Sequence, residues 1–100
     1  MAPDTRKLVT TICEAALEKS LGRELADLGA HGYTITDARG RGSRGLRDAS
    51  WREASNIRIE IVCDAATATR ISEFVRERYY DHYAMILFAQ DVSVLRPEKF

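Results

Sequence analysis

Polar and apolar positions alternate most cleanly between Ile57 and Val62, where Ile57, Ile59 and Ile61 take turns with Arg58, Glu60 and Val62. A period of two marks a strand that rests one face on a core. Other segments fall into place around it. Lys7 to Ile12, with Leu8, Val9 and Ile12 apolar, predicts a short first strand. Thr11 followed by Glu14 has the capping-box spacing, which predicts a helix starting there. Leu17, Leu21, Leu25 and Leu28 then recur at helical intervals, while Glu18, Lys19, Arg23 and Glu24 face elsewhere. Gly29 and the Ala30-His31-Gly32 turn end that helix. Tyr33 to about Ala38 predicts a second strand. After the isoleucine strand, Asp64 or Thr67 caps a second helix whose Ile71, Phe74, Val75 and Arg78 share a face. Ala84 to Ala89 predicts a fourth strand and Val92 to Leu95 a short tail strand, stopped by Arg96-Pro97.

Strand–helix–strand–strand–helix–strand is the split βαβ pattern. The expected fold is therefore α+β and ferredoxin-like, an antiparallel βαββαβ sheet with two helices on one face and a long loop between strands 2 and 3. Two helices cover one face only, and a bare face should be polar in a chain alone in water. Leu8 and Val9 point opposite ways and the fourth strand is apolar on both sides, so apolar area is left over. Such area predicts a partner surface, and a homo-oligomer is the economical answer.

Composition narrows the class. A chain of 100 residues predicts one domain, spanning 1–100. Fifteen acidic and fifteen basic residues cancel, so no global field draws the chain to nucleic acid or to an anionic membrane. Cys13 and Cys63 sit far apart inside apolar patterns, which predicts buried thiols and a reducing cytoplasm rather than a disulfide framework. No signal peptide or spanning segment is expected.

Positive charge is local instead. Arg39, Arg41, Arg44, Arg47 and Arg52 fall close together, four of them within Ala38-Arg39-Gly40-Arg41-Gly42-Ser43-Arg44-Gly45-Leu46-Arg47. Glycine lets successive backbone amides turn towards an anion, and arginine supplies a planar fork for two phosphate oxygens. The loop, roughly 39–56, is longer than a hairpin needs, which predicts a functional segment. Its base is expected to bind a phosphate-bearing small molecule and its tip to report that binding to a protein. Trp51 is a candidate partner anchor, with Arg52 beside it; packing against a neighbouring subunit is the equal alternative. No serine or cysteine stands near a plausible base, there is no Walker-type Gly-Lys-Ser/Thr, and Asp27, Glu60 and Asp64 suggest no cleft, so an enzyme is not expected. His31 and His82 are too few and too distant to predict a metal site.

Gly32-Tyr33-Thr34-Ile35-Thr36, Gly40-Arg41-Gly42-Ser43-Arg44 with Arg47, the isoleucine strand, and Tyr80-Asp81-His82-Tyr83-Ala84 together resemble a PII-like signalling protein. The branch it most resembles is that of inorganic carbon uptake: carboxysome-associated PII proteins and the PII-like regulator of the bicarbonate transporter. The resemblance implies a cytoplasmic homotrimer that binds an adenine nucleotide between subunits, and a long T-loop whose order changes with the ligand as it engages a target. That target is a bicarbonate transporter or a carboxysome component, so any membrane contact runs through a partner. By the same resemblance, Gly40, Gly42 and Ser43 wrap the phosphate and Arg44 and Arg47 hold it. Gly32, Tyr33, Cys63, Tyr83, Ala84 and Met85 lie where adenine and ribose are met, and Arg96 near the phosphates. Bicarbonate would sit beside the nucleotide on Arg39 and Arg41.

Departures refine these expectations. Tyr79 to Met85 stands where the archetypal PII proteins carry a glycine-rich turn that ends in a phosphate-binding lysine. AMP, ADP or cyclic AMP are then favoured over ATP. The loop has no tyrosine for uridylylation, and Arg96-Pro97-Glu98-Lys99-Phe100 offers no cysteine for a redox switch. The alternatives are an RNA- or DNA-binding ferredoxin-like module using the Arg/Gly loop, which the isoleucines and valine expected on the open sheet face argue against, and a copper-tolerance-type trimer, which would want more His and Cys.

Overall fold

The computed structural model describes residues 4–42, 45–47 and 55–100. Six strands and two helices run in the order β1 (Asp4–Glu14), α1 (Glu18–Asp27), β2 (Thr34–Ala38), β3 (Gly40–Gly42), β4 (Gly45–Arg47), β5 (Asn56–Cys63), α2 (Ala65–Arg78) and β6 (Ile86–Val94). Four strands form one antiparallel sheet in the order β2-β5-β1-β6, and β3 pairs with β4 in a separate two-stranded ribbon. This is the expected ferredoxin-like architecture, with the Gly/Arg ribbon inserted between the second and third strands of the main sheet.

The isoleucine alternation does what its period demands. Ile57, Ile59 and Ile61 are buried beside Val9 and Cys13 of β1 and meet Leu21 and Leu25 of α1 and Ile71 and Val75 of α2 in one core. Each such side chain taken fully from water contributes on the order of 1.5–3 kcal/mol. Leu17 is buried at the mouth of this core, so the leucine stripe is as expected. Of the two proposed caps for α2, Asp64 is the one used: its carboxylate accepts from the Thr67 N–H at 2.7 Å. Arg78 sits on the flank of the core, its Nε 3.5 Å from the Glu24 carboxylate.

The expected helix start at Thr11 is wrong. β1 runs on to Glu14, and Thr11 is a buried rung between Ile59 and Leu87. Its hydroxyl donates to the Ile86 carbonyl at 2.8 Å, which satisfies the polar group inside the core. A single 3₁₀ turn, Ala15–Leu17, then leads into α1, with no side-chain cap; the Ala15 N–H is held by the Ser55 carbonyl at 2.7 Å instead. The fourth and tail strands are likewise one continuous strand, β6. Gln90 and Asp91 look like a break but pair with Leu8 and Lys7, and Lys7 Nζ meets the Asp91 carboxylate at 2.5 Å. Leu95 lies beyond the strand and is almost fully exposed.

α1 ends on a Schellman turn: the Ala30 N–H reaches the Leu25 carbonyl at 3.0 Å and the Gly29 N–H the Ala26 carbonyl at 3.1 Å. Gly29 takes φ +109°, which glycine adopts without strain. Arg70 of α2 clamps this turn, donating from Nε to the Leu28 carbonyl at 3.1 Å and from Nη2 to the Thr67 hydroxyl at 2.9 Å.

Candidate functional site

The turn that follows α1 delivers Gly32 and Tyr33 to the start of β2, along one edge of the sheet. Thr34 then pairs with Glu60 and so fixes the register. Leu8, Glu60 and Val62 project from the helix-free face, because their neighbours Val9, Ile59 and Ile61 point into the core. With Gly32, Tyr33, Thr34 and Phe100 they line a groove of about 390 Å³. The sequence reading picked out Gly32 and Tyr33 for this role; it missed Leu8, Thr34, Glu60, Val62 and Phe100. It also saw no cleft for Glu60, and the groove corrects that. The period-two pattern carries the missing signal: whatever alternates with the isoleucines must share the opposite face.

Tyr33 is placed by a neighbour. A methyl group at Gly22, in the interior of α1, would come within 2.5 Å of the Tyr33 hydroxyl. The absent side chain is therefore the space the phenol uses. At Gly32 and Gly40 the opposite holds: a Cβ would meet nothing of this chain within 4 Å. Neither has a positive φ, so the chain's own packing does not explain why these positions are glycine.

The base of the Gly/Arg insertion forms a second cavity, about 380 Å³, lined by Asp37, Ala38, Arg39, Ser55 and Asn56. Gly40, Arg41 and Gly42 lie on β3, and Arg47 on β4, where it pairs with Gly40. Ser43, Arg44, Trp51 and Arg52 fall outside the described residues.

Tyr83, Ala84 and Met85 lead into β6, at the edge of the sheet away from β2 but at the same end as Ala38. Met85 is buried; Tyr83 is half-buried and packs its ring against Tyr79, tilted by 54° with centroids 5.6 Å apart. Tyr79 donates to the Glu24 carboxylate. Burial, then that bond, raises its phenol above the ordinary value. Arg96 is exposed, just before a 3₁₀ turn at Pro97–Lys99.

Cys63 is buried at the end of β5 and packs with the core. Burial first, and the Asp64 carboxylate second, push its thiol up, against a smaller opposing pull from Arg70. It lies at the other end of the β1–β5 ladder from Cys13. One chain therefore brings Gly32 and Tyr33 into one groove and Arg39 into another, and leaves Tyr83, Ala84 and Met85 on the far edge. Among the described residues no three His, Cys, Asp or Glu side chains converge, and no helix is long and apolar enough to cross a membrane.

A βαββαβ sheet with a two-stranded Gly/Arg insertion between its second and third strands, and open grooves beside β2 and at the base of that insertion, is a ferredoxin-like architecture. The chain belongs to the nitrogen regulatory protein P-II family, whose model matches residues 6–99. It is a PII-like signalling protein. The crystal structure of a chain described as a PII-like signaling protein from Thermus thermophilus is 47% identical to it, covers 100% of this chain and 99% of its own, and superposes with a TM-score of 0.85. CPII from Thiomonas intermedia, a nitrogen regulatory PII-like protein bound to ADP, AMP and bicarbonate, is 25% identical over 99% of this chain and 96% of its own, at a TM-score of 0.86. The same CPII bound to ADP and bicarbonate gives a TM-score of 0.88 at 24% identity, over 99% of this chain and 97% of its own.

Proposed function

We propose that this protein senses adenine nucleotides, with AMP and ADP preferred, in clefts completed by neighbouring subunits of a homotrimer. The observation that carries this reading is the groove at Gly32, Tyr33, Thr34, Glu60 and Val62, whose glycine edge is empty within the chain. Aliphatic Leu8 and Val62 suit a base, and the Glu60 carboxylate is an acceptor for ribose hydroxyls. The ADP and AMP held by CPII support the ligand class.

In this reading the whole chain, 1–100, is one P-II domain. Gly40, Gly42 and Ser43 present amides to the phosphates, and Arg44 and Arg47 clamp them. Cys63, Tyr83, Ala84, Met85 and Arg96 add contacts from a neighbouring chain's edge or from the backbone. Capture at the loop base then selects the conformation that the T-loop shows a target, with Trp51 and Arg52 as its contact residues. A ligand can shift that choice only by its difference in affinity for the two loop states.

Bicarbonate, which CPII also binds, would occupy the second cavity, beside Arg39 and near Arg41. Asp37 in the same wall favours a singly charged anion there over a larger negative load. A protein that reads ADP, AMP and bicarbonate together is suited to regulating inorganic carbon uptake or carboxysome function in the cytoplasm, through a bicarbonate transporter or a carboxysome component.

Calorimetric titration with AMP, ADP, ATP and cyclic AMP, with and without bicarbonate, tests the reading. Arg44→Ala and Arg47→Ala are each expected to weaken ADP binding by about 1.5–3 kcal/mol, the range for a charge-assisted hydrogen bond. Unchanged affinity in both variants would remove the proposed site.

A further inference from the structure

We propose that Phe100 is a specificity-determining residue of the groove, its ring forming the wall against which a purine stacks. The inference rests on the adenine-nucleotide reading above and assigns a residue that the reading does not use.

The path of the chain makes the case. β6 is the edge strand farthest from β2, yet by Phe100 the chain lines a groove whose other walls are β1, β5 and the start of β2. It gets there through the 3₁₀ turn Pro97–Lys99, which crosses the start of β1. Two side chains pin the crossing from opposite sides. Arg6 Nη2 donates to the Pro97 carbonyl at 3.1 Å, while Nη1 donates to the Thr5 carbonyl at 3.0 Å. His31 Nδ1 lies 3.3 Å from the Lys99 carbonyl, and since a carbonyl only accepts, the ring must donate from that nitrogen. One anchor therefore comes from β1 and the other from the turn that carries Gly32.

The chemistry follows from what else lines the groove. Leu8 and Val62 offer aliphatic surface, and Thr34 and Glu60 offer polar atoms. Phe100 adds a flat π surface. Aromatic faces bind nucleobases by offset stacking, and a two-ring base overlaps such a face more than a one-ring base does. The expected consequence is selection of purine over pyrimidine nucleotides at constant phosphate affinity.

Titration of the full chain and its Phe100→Ala, Phe100→Leu and Phe100→Tyr variants with ADP, UDP and inorganic pyrophosphate tests this, with thermal melts as the control for folding. Phe100→Ala should weaken ADP roughly 10- to 100-fold, the span of base stacking on an aromatic side chain. UDP should fall less, so that the ADP-to-UDP preference narrows, and pyrophosphate should not change. Phe100→Tyr should restore the wild-type preference and Phe100→Leu should not. That pair decides the matter even if the alanine variant fails to fold. A wild-type chain that binds no ADP overturns the nucleotide reading and this inference with it. ADP binding that is strong in the wild type and equal in all folded variants overturns this inference alone.

Discussion

On the helix-covered side of the sheet, Val9, Ile57, Ile59 and Ile61 are buried by α1 and α2 of the same chain. On the other side, Leu8, Ile12, Val62, Ile86 and Phe88 occupy equally regular positions, with no helix over them, and Ile86 and Phe88 keep about half of their surface exposed (48% each). Strand pairing builds both faces with the same care, but the chain completes only one of them. The difference separates two kinds of residue that a hydropathy pattern treats alike: those that the chain buries under its own helices, and those it leaves without a helix over them.

Substitutions can break or sharpen that contrast. The largest effect is expected at Ile61→Ala, which should lower unfolding free energy by about 2–5 kcal/mol through lost burial and the cavity left behind; the midpoint of a urea titration measures it. Phe88→Glu should leave the core's contacts alone and act on assembly, weakening self-association by roughly tenfold or more, the worth of burying one aromatic ring. Sedimentation across a range of concentrations reads this out, and an unchanged oligomer would show that the helix-free face is not the contact. The smallest is Asp64→Ala, which removes the cap of α2 and should lower Tm by about 2–5 °C at neutral pH.

That last effect has a pH signature. Hydrogen bonds from the Thr67 backbone N–H, then from its side chain, hold the Asp64 carboxyl below its ordinary range. A carboxyl with a depressed native value stabilises the fold above the unfolded value, near ~4, and loses that contribution as pH falls through the native one. The Tm difference between wild type and Asp64→Ala should therefore be full at about pH 6 and close progressively below about pH 4.

Where sequence and structure agree, a single local rule was strong enough. Six residues of alternation marked β5, the leucine spacing marked α1, and Asp64 capped α2 where the spacing allowed it. The failures are places where a tertiary partner outweighed a local motif. Thr11 and Glu14 have the spacing of a capping box, but pairing with two strands at once kept Thr11 extended and gave its hydroxyl the Ile86 carbonyl. Gln90 and Asp91 carry a strand because Lys7 stands opposite.

The candidate site was only half legible for a related reason. Glycine and arginine announce themselves in a loop, which is why Gly32, Arg39 and Gly40 stood out. Leu8, Glu60 and Val62 are ordinary strand residues, which become groove walls only once the sheet shows what lies opposite the core. The β5 isoleucines expected to make the open face unfit for nucleic acid lie instead under the helices, while that face carries Phe88 and, in the groove, Tyr33 and Phe100, along with Arg58 and Glu60 in a 3.8 Å ion pair. Nothing local in the sequence indicated that Phe100 crosses the sheet; its place depends on Arg6 and His31, residues far away along the chain.

Arg70 touches neither groove, yet its guanidinium holds the exit of α1 at Leu28 and the first turn of α2 at Thr67. One rigid plane thus bolts two segments that the chain itself joins only by way of β2, the ribbon and β5. The exit of α1, and with it the approach to Gly32, is thereby tied to the start of α2 by hydrogen bonds rather than by the chain alone.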